Sequence, residues 1–145
     1  MAITTNAIAS SFKKELLEGK HDFTAAPSGS KFKLAMYNST ATLGKSTTSY
    51  TTGAEVTSPA GYTAGGKALV NTGTSVASSV AITTFGNLSF TNVTLTARGA
   101  LIYNTSNSNT GVAVLDFGSD KTATAGTFTI QFPAYTTSAA ILRIS

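Results

Sequence analysis

"NLSFTNVTLTA", residues 87–97, decides how this chain reads. Leu88 and Phe90 alternate with small polar residues, and Val93, Leu95 and Ala97 then alternate again. A period of two sends successive side chains to opposite faces of a strand, whereas a helix repeats its apolar positions at three and four. The parity slips at Thr91-Asn92, which predicts a bulge or a tight turn there.

Toward the C-terminus, "GALIYN" (99–104), "GVAVLDF" (111–117), "GTFTIQFP" (126–133) and "AAILRI" (139–144) read as four more strands. Toward the N-terminus, "KFKLAMY" (31–37) sets Phe32, Leu34 and Met36 against Lys31, Lys33 and Tyr37. "AEVT" (54–57), "KALVN" (67–71) and "VASSVAITTF" (76–85) are weaker candidates. Turn signals separate them at "SPAG" (58–61), "TSNSNTG" (105–111), "GSDKTATAG" (118–126) and "YTTS" (135–138). Eight or nine short strands with no helix between them predict an all-β chain, an antiparallel sandwich or barrel. Phe32, Leu34, Leu95, Leu115, Phe128, Ile130, Phe132 and Leu142 are its expected core.

One helix precedes the strands. "SSFKKELLEGKHDF" (10–23) offers Ser10 or Ser11 as N-cap and Gly19 as a stop. Ile8, Phe12 and Leu16 form an apolar stripe, with Leu17 beside it. A helix of about ten residues is marginal alone in water and needs a surface to pack on. "TAAPSGS" (24–30) reads as a linker. The expected organisation is an N-terminal arm with helix and linker over 1–30, then a β-sandwich domain over 31–145.

Composition narrows the function classes. Charged residues make up 11% of the 145 residues, against roughly 25% in an average soluble protein. Thr (26) and Ser (17) supply the polarity instead, which suits a surface partly covered in an assembly. The net charge of +4 is thinly spread, and no basic stripe interleaves with aromatics, so nucleic acid is not an expected partner. Cysteine is absent, which removes disulfides and thiolate metal sites. No apolar run has membrane-spanning length, so no membrane partner is expected, and no export signal is seen. The sequence-level expectation is a chain made and kept in the cytoplasm of the producing cell.

Three motifs suggest chemistry and lack its context. "GYTAGGKA" (61–68) places Gly61, Gly66 and Lys67 at P-loop spacing, but Ala68 lacks the magnesium-binding hydroxyl. "STATLGKS" (39–46) has Ser39 where the first glycine belongs. A working P-loop joins a buried strand to a helix, and neither stretch has both flanks. Gly61, Gly65 and Gly66 instead predict positive φ angles in a tight loop. Asp116 and Asp120 could bracket calcium but are few for a cation taking 6–8 oxygens. His21 reads as a polar, exposed residue at a helix end. The five tyrosines 37, 50, 62, 103 and 135 could form a sugar-stacking patch, or could sit half-buried on strands and loop edges. No catalytic residue, cofactor site or metal site emerges, so the chain is not expected to be an enzyme.

"SSFKKELLEGKHDF", "FKLAMYNSTATLG", "GYTAGGKAL", "ARGALIYN" and "VAVLDFGSDKTATAGTFTIQFP" together resemble small virion proteins of tailed bacteriophages. The resemblance runs over nearly the whole chain and is most specific over 93–133. Similar proteins include capsid decoration, or cement, proteins. The resemblance implies a jelly-roll-like β-sandwich that sits on the outer capsid surface as a dimer or trimer and bridges major capsid subunits. Tail and fibre components share the same Thr/Gly/Ser-rich style and remain the alternative, as a receptor- or carbohydrate-binding module. The stripe of Ile8, Phe12 and Leu16 must itself be covered by the sandwich, a sister subunit or the shell. As an assembly arm, Phe12 and Leu16 would anchor and Lys13, Lys14 and Lys20 would face acidic groups on neighbours. The alternative is a helix that plugs one end of its own sandwich.

Overall fold

A computed structural model describes residues 3–57 and 60–145. Its centre is a hairpin of two long antiparallel strands, β6 (Leu88–Asn104) and β7 (Thr110–Ile130). They pair from Asn104↔Thr110 at the turn to Leu88↔Ile130 at the far end. The expected parity slip is present. The register shifts between Phe90 and Val93, and Asn92 takes a φ of 50°. "NLSFTNVTLTA" and "GALIYN" are therefore one strand.

"GSDKTATAG", expected as a turn, lies inside β7. Its partners jump from Gly99↔Asp116 to Ala97↔Lys121, so extra β7 residues bulge out while the strand continues. Gly118 at φ 79° accommodates the bulge. Turn-forming residues here face solvent, and pairing with β6 overrides their local preference.

Five strands form one sheet, in the order β1 (Ala7–Ile8), β7, β6, β2 (Phe32–Tyr37), β3 (Lys67–Ala68). Three form the other, in the order β4 (Asn71–Ala77), β5 (Val80–Phe85), β8 (Leu142–Ile144). All pairings are antiparallel, and the chain is an all-β sandwich with one short helix. "VASSVAITTF" is split. Ser78 and Ser79 both take positive φ and turn β4 into β5, as a two-residue hairpin requires. "KALVN" divides between β3 and the start of β4. "AEVT" contributes only an isolated bridge, Glu55↔Tyr37.

The core has two parts, one on each face of the large sheet. Phe32, Leu34 and Met36 of β2 join Leu88, Phe90, Leu95, Phe128, Ile130 and Phe132 in the main cluster. Leu115 and Leu142 are partly buried against it. Phe32 stacks on Phe23 at 4.7 Å and meets Phe85 of the small sheet edge-on at 5.5 Å. On the opposite face Ala35 and Tyr37 pack with Ile3, Leu101, Tyr103 and Val114. Tyr37, expected on a polar face, is thus wholly buried. β2 lies between β6 and β3 in the sheet and is covered on both faces.

The N-terminal segment is built into this body. β1 extends the large sheet through Ala7↔Val114 and Ile8↔Ala113. The helix α1 spans Ser10–Leu17. Ala9, not a serine, holds the N-cap position, and no side chain caps it. Gly19 ends the helix as expected, at φ 70°. Residues 24–30 are not a loose linker. The Asn71 side chain donates to the carbonyls of Thr24 (3.2 Å) and Ser30 (3.0 Å). The Ser30 amide donates to the Asp22 carbonyl at 2.8 Å.

Candidate functional site

The near-P-loop is bonded tightly to the body of the fold. Gly61, Gly65 and Gly66 have φ angles of 83°, 93° and 76°, as the tight-loop reading requires. A side chain at Gly66 would stand 1.8 Å from the Leu34 carbonyl oxygen, and one at Gly61 2.7 Å from that of Thr91. The loop is pressed onto the large sheet too closely for a Cβ at either place. Lys67 does not reach outward for an anion. Its ammonium donates to the Ser89 carbonyl at 2.6 Å and lies 5.7 Å from the centre of the Phe90 ring.

The anion that this loop holds is internal. Glu55, buried to 6% exposure, accepts at Oε1 from the Gly65 amide (2.6 Å) and the Tyr62 hydroxyl (2.7 Å). Its Oε2 accepts from the Tyr50 hydroxyl at 2.5 Å. Tyr62 in turn accepts from the Met36 amide at 2.9 Å. Tyr103 donates to the Gly65 carbonyl at 2.5 Å and stacks on Tyr50 at 4.7 Å. Tyr37 donates to the Thr51 carbonyl at 2.6 Å. A buried carboxylate needs such donors to offset its lost hydration. The same burial, with the Glu55 charge nearby, pushes the phenols of Tyr37, Tyr50 and Tyr62 well above their ordinary value and raises that of Tyr103 as well. Four of the five tyrosines thus serve this cluster, and only Tyr135 stands exposed, at 40%. A sugar-stacking patch does not form from them.

His21, expected exposed at a helix end, is interior. It is buried, between Phe12 at 4.7 Å and Phe32 at 6.4 Å, and its side chain is fully shielded. Asn104, also fully buried, sets its tautomer. The Asn104 Oδ1 accepts from the Ser106 amide at 2.9 Å, so its Nδ2 is the group that donates to His21 Nδ1 at 2.9 Å. The proton then sits on Nε2, which donates to Glu15 at 2.7 Å. Glu15, His21 and Asn104 tie the helix to the hairpin turn. Asn104 looks like part of a sequon in the sequence, and nothing local marks its role.

Asp116 sits within β7, where its Oδ1 accepts from Arg98 (3.1 Å) and the Gly118 amide (2.9 Å). Asp120 is exposed. Among the described residues no group of three His, Cys, Asp or Glu could hold a metal, and no helix is long and apolar enough to cross a membrane.

The six expected assembly residues divide. Ile8 belongs to β1, Phe12 is 2% exposed in the main core, and Leu16 packs partly against it. Phe12 is thus enclosed within its own chain, while Ile8 and Leu16 are only partly covered by it. Lys13, Lys14 and Lys20 are exposed. Lys14 and Lys20 share Glu18, at 3.3 Å and 2.8 Å. On the helix the exposed apolar residue is Leu17, at 91%, between Lys14 and Lys20 in sequence.

Comparison of the chain with family models, with curated proteins and with solved structures finds no match.

Proposed function

We propose that this chain is a structural component of a phage particle, a decoration protein that binds the outside of the shell and bridges neighbouring capsid subunits. The observation that carries the reading is the inward closure of its polar chemistry. Glu55, His21, Asp116 and Lys67 all have partners within the chain, and outside the lysines of α1 the exposed strand surface is rich in hydroxyls. Such a surface suits contact with other proteins over catalysis. The exposed side of α1, with Leu17, Lys13 and Lys14 and with Lys20 just beyond its end, is the part suited to an acidic, partly apolar patch on a capsid subunit. Many copies that recognise only the assembled shell stabilise it by mass action.

Copy number tests this. Quantitative mass spectrometry of purified particles carrying the gene should find hundreds of copies per particle. A few dozen would move the protein to the tail or connector, and absence from particles would end the structural reading.

A further inference from the structure

The β6–β7 hairpin leaves one long edge open. β1 covers β7 only at Ala113 and Val114, and the Asn6 side chain takes the amide of Asp116. Beyond that point no strand among the described residues pairs with the outer side of β7. Two bonds fix which backbone groups face outward. The Ser89 carbonyl is turned away from β7 to Lys67, and the Phe132 amide is turned toward β6, to Asn87 at 2.9 Å. Backbone groups alternate in direction along a strand, so Thr127, Thr129 and Gln131 present their N–H and C=O to the open side.

The same edge borders an apolar cleft. It has a volume of about 780 Å³ and runs between β7 and the segment 139–141, with Ile8, Leu115, Phe117, Phe128, Ile130 and Ile141 in its lining. The three-stranded sheet does not cover the five-stranded one at this side. Open edges are normally blunted by charge, proline or a bulge. Ala125, at φ 47°, kinks the strand upstream, but residues 122–142 contain no charged residue and the first proline is Pro133.

We propose that this edge pairs with the same edge of a second copy, antiparallel about a two-fold axis perpendicular to the sheet and centred on Thr129. That operator keeps each face of the sheet on its own side, so only partners of the same parity can meet. Centring on Thr129 aligns Thr127 with Gln131 of the second copy and brings the outward-facing groups into bonding register. It also sets Phe128 beside the second copy's Ile130 on the inner face, an aromatic and β-branched pair of the kind that stabilises sheets. The two clefts then open toward each other and close together. A charge near the axis would meet its own copy, and the stretch carries none. The pairing is independent of what the dimer binds.

The cysteine-free chain makes the test direct. Light scattering on the purified protein should give twice the chain mass. Thr129→Pro removes an outward N–H and no ladder bond to β6, so it should fold with unchanged circular dichroism and run at half the wild-type mass. A bonded antiparallel pair sits near 5.5 Å between Cα atoms, within disulfide reach. Thr129→Cys should therefore form a disulfide dimer on mild oxidation, while Ser75→Cys on the exposed β4 strand should not. A monomeric wild type, a Thr129→Pro protein that keeps the wild-type mass, or equal cross-linking of the two cysteine variants overturns the proposal. If Thr129→Pro does not fold, the cross-linking comparison decides alone.

Discussion

The two edges of the β6–β7 hairpin make opposite use of similar chemistry. On the β6 side, beyond β2, the glycine loop 60–67 lies over the strand. Ala60 takes the Thr94 amide, Lys67 takes the Ser89 carbonyl, and Gly61 packs against Thr91 and Asn92. On the β7 side nothing comparable arrives after Asp116 among the described residues. Both edges are rich in threonine and poor in charge, so composition does not distinguish them. What closes the first is an internal anion. Glu55 draws Gly65 and Tyr62 inward, with Tyr50 bonded to it from outside the loop, and the glycine loop is held down with them. The resemblance to a P-loop has a physical root, since positive-φ glycines aim amides at a negative charge in both cases. Here the charge is the protein's own carboxylate.

Removing that carboxylate should open the closed edge. Glu55→Ala leaves two hydroxyls and one amide without an acceptor, each worth about 1–3 kcal/mol when buried. We expect a loss of about 3–5 kcal/mol in urea unfolding, with the Thr94 amide losing protection from hydrogen exchange. Unchanged stability would mean that the loop covers β6 without Glu55.

Asn104→Ala probes the turn end of the same hairpin. It strips the acceptor from Ser106 and the donor from His21, and should lower stability by about 1–3 kcal/mol. Loosening should reach α1 through Glu15, read as faster exchange of the helix amides while the glycine loop keeps its protection.

Alkali tests the closed edge without mutation. The folded chain holds protons on Tyr37, Tyr50, Tyr62 and Tyr103 that the unfolded chain releases above about pH 10. Below that pH both states are protonated and stability is flat in this respect. Above it the unfolded state binds fewer protons, so stability falls as pH rises. Tyrosinate absorbance from these four should appear together with unfolding. Smooth ionisation in a still-folded protein would show that the cluster admits water.

The smallest effect on stability belongs to Leu17→Ser, at a position 91% exposed. It should stay within about 0.5 kcal/mol of wild type. Reduced occupancy on particles would support the α1 face as the shell contact, and full occupancy would remove it.

Alternation in 31–37 and 87–97, with the short apolar runs at 99–104 and 111–117 bounded by turn signals, was enough to predict strands and a sandwich, because both patterns are properties of the local chain. The bulge at Asn92, the helix stop at Gly19 and the positive φ of the loop glycines were legible for the same reason, as local backbone demands. Tertiary structure decided everything that depends on a distant partner. "GSDKTATAG" is strand because β6 lies alongside it. Tyr37 is buried because a second apolar cluster covers the far face of its sheet. His21 is interior because Asn104, 83 residues away, bonds to it. Ile8, Phe12 and Leu16 were legible as apolar but not as belonging to their own core, since a stripe states what must be covered and not by which molecule. The open edge of β7 was invisible for the same reason. An edge exists only by what fails to pair with it, and no single strand records that.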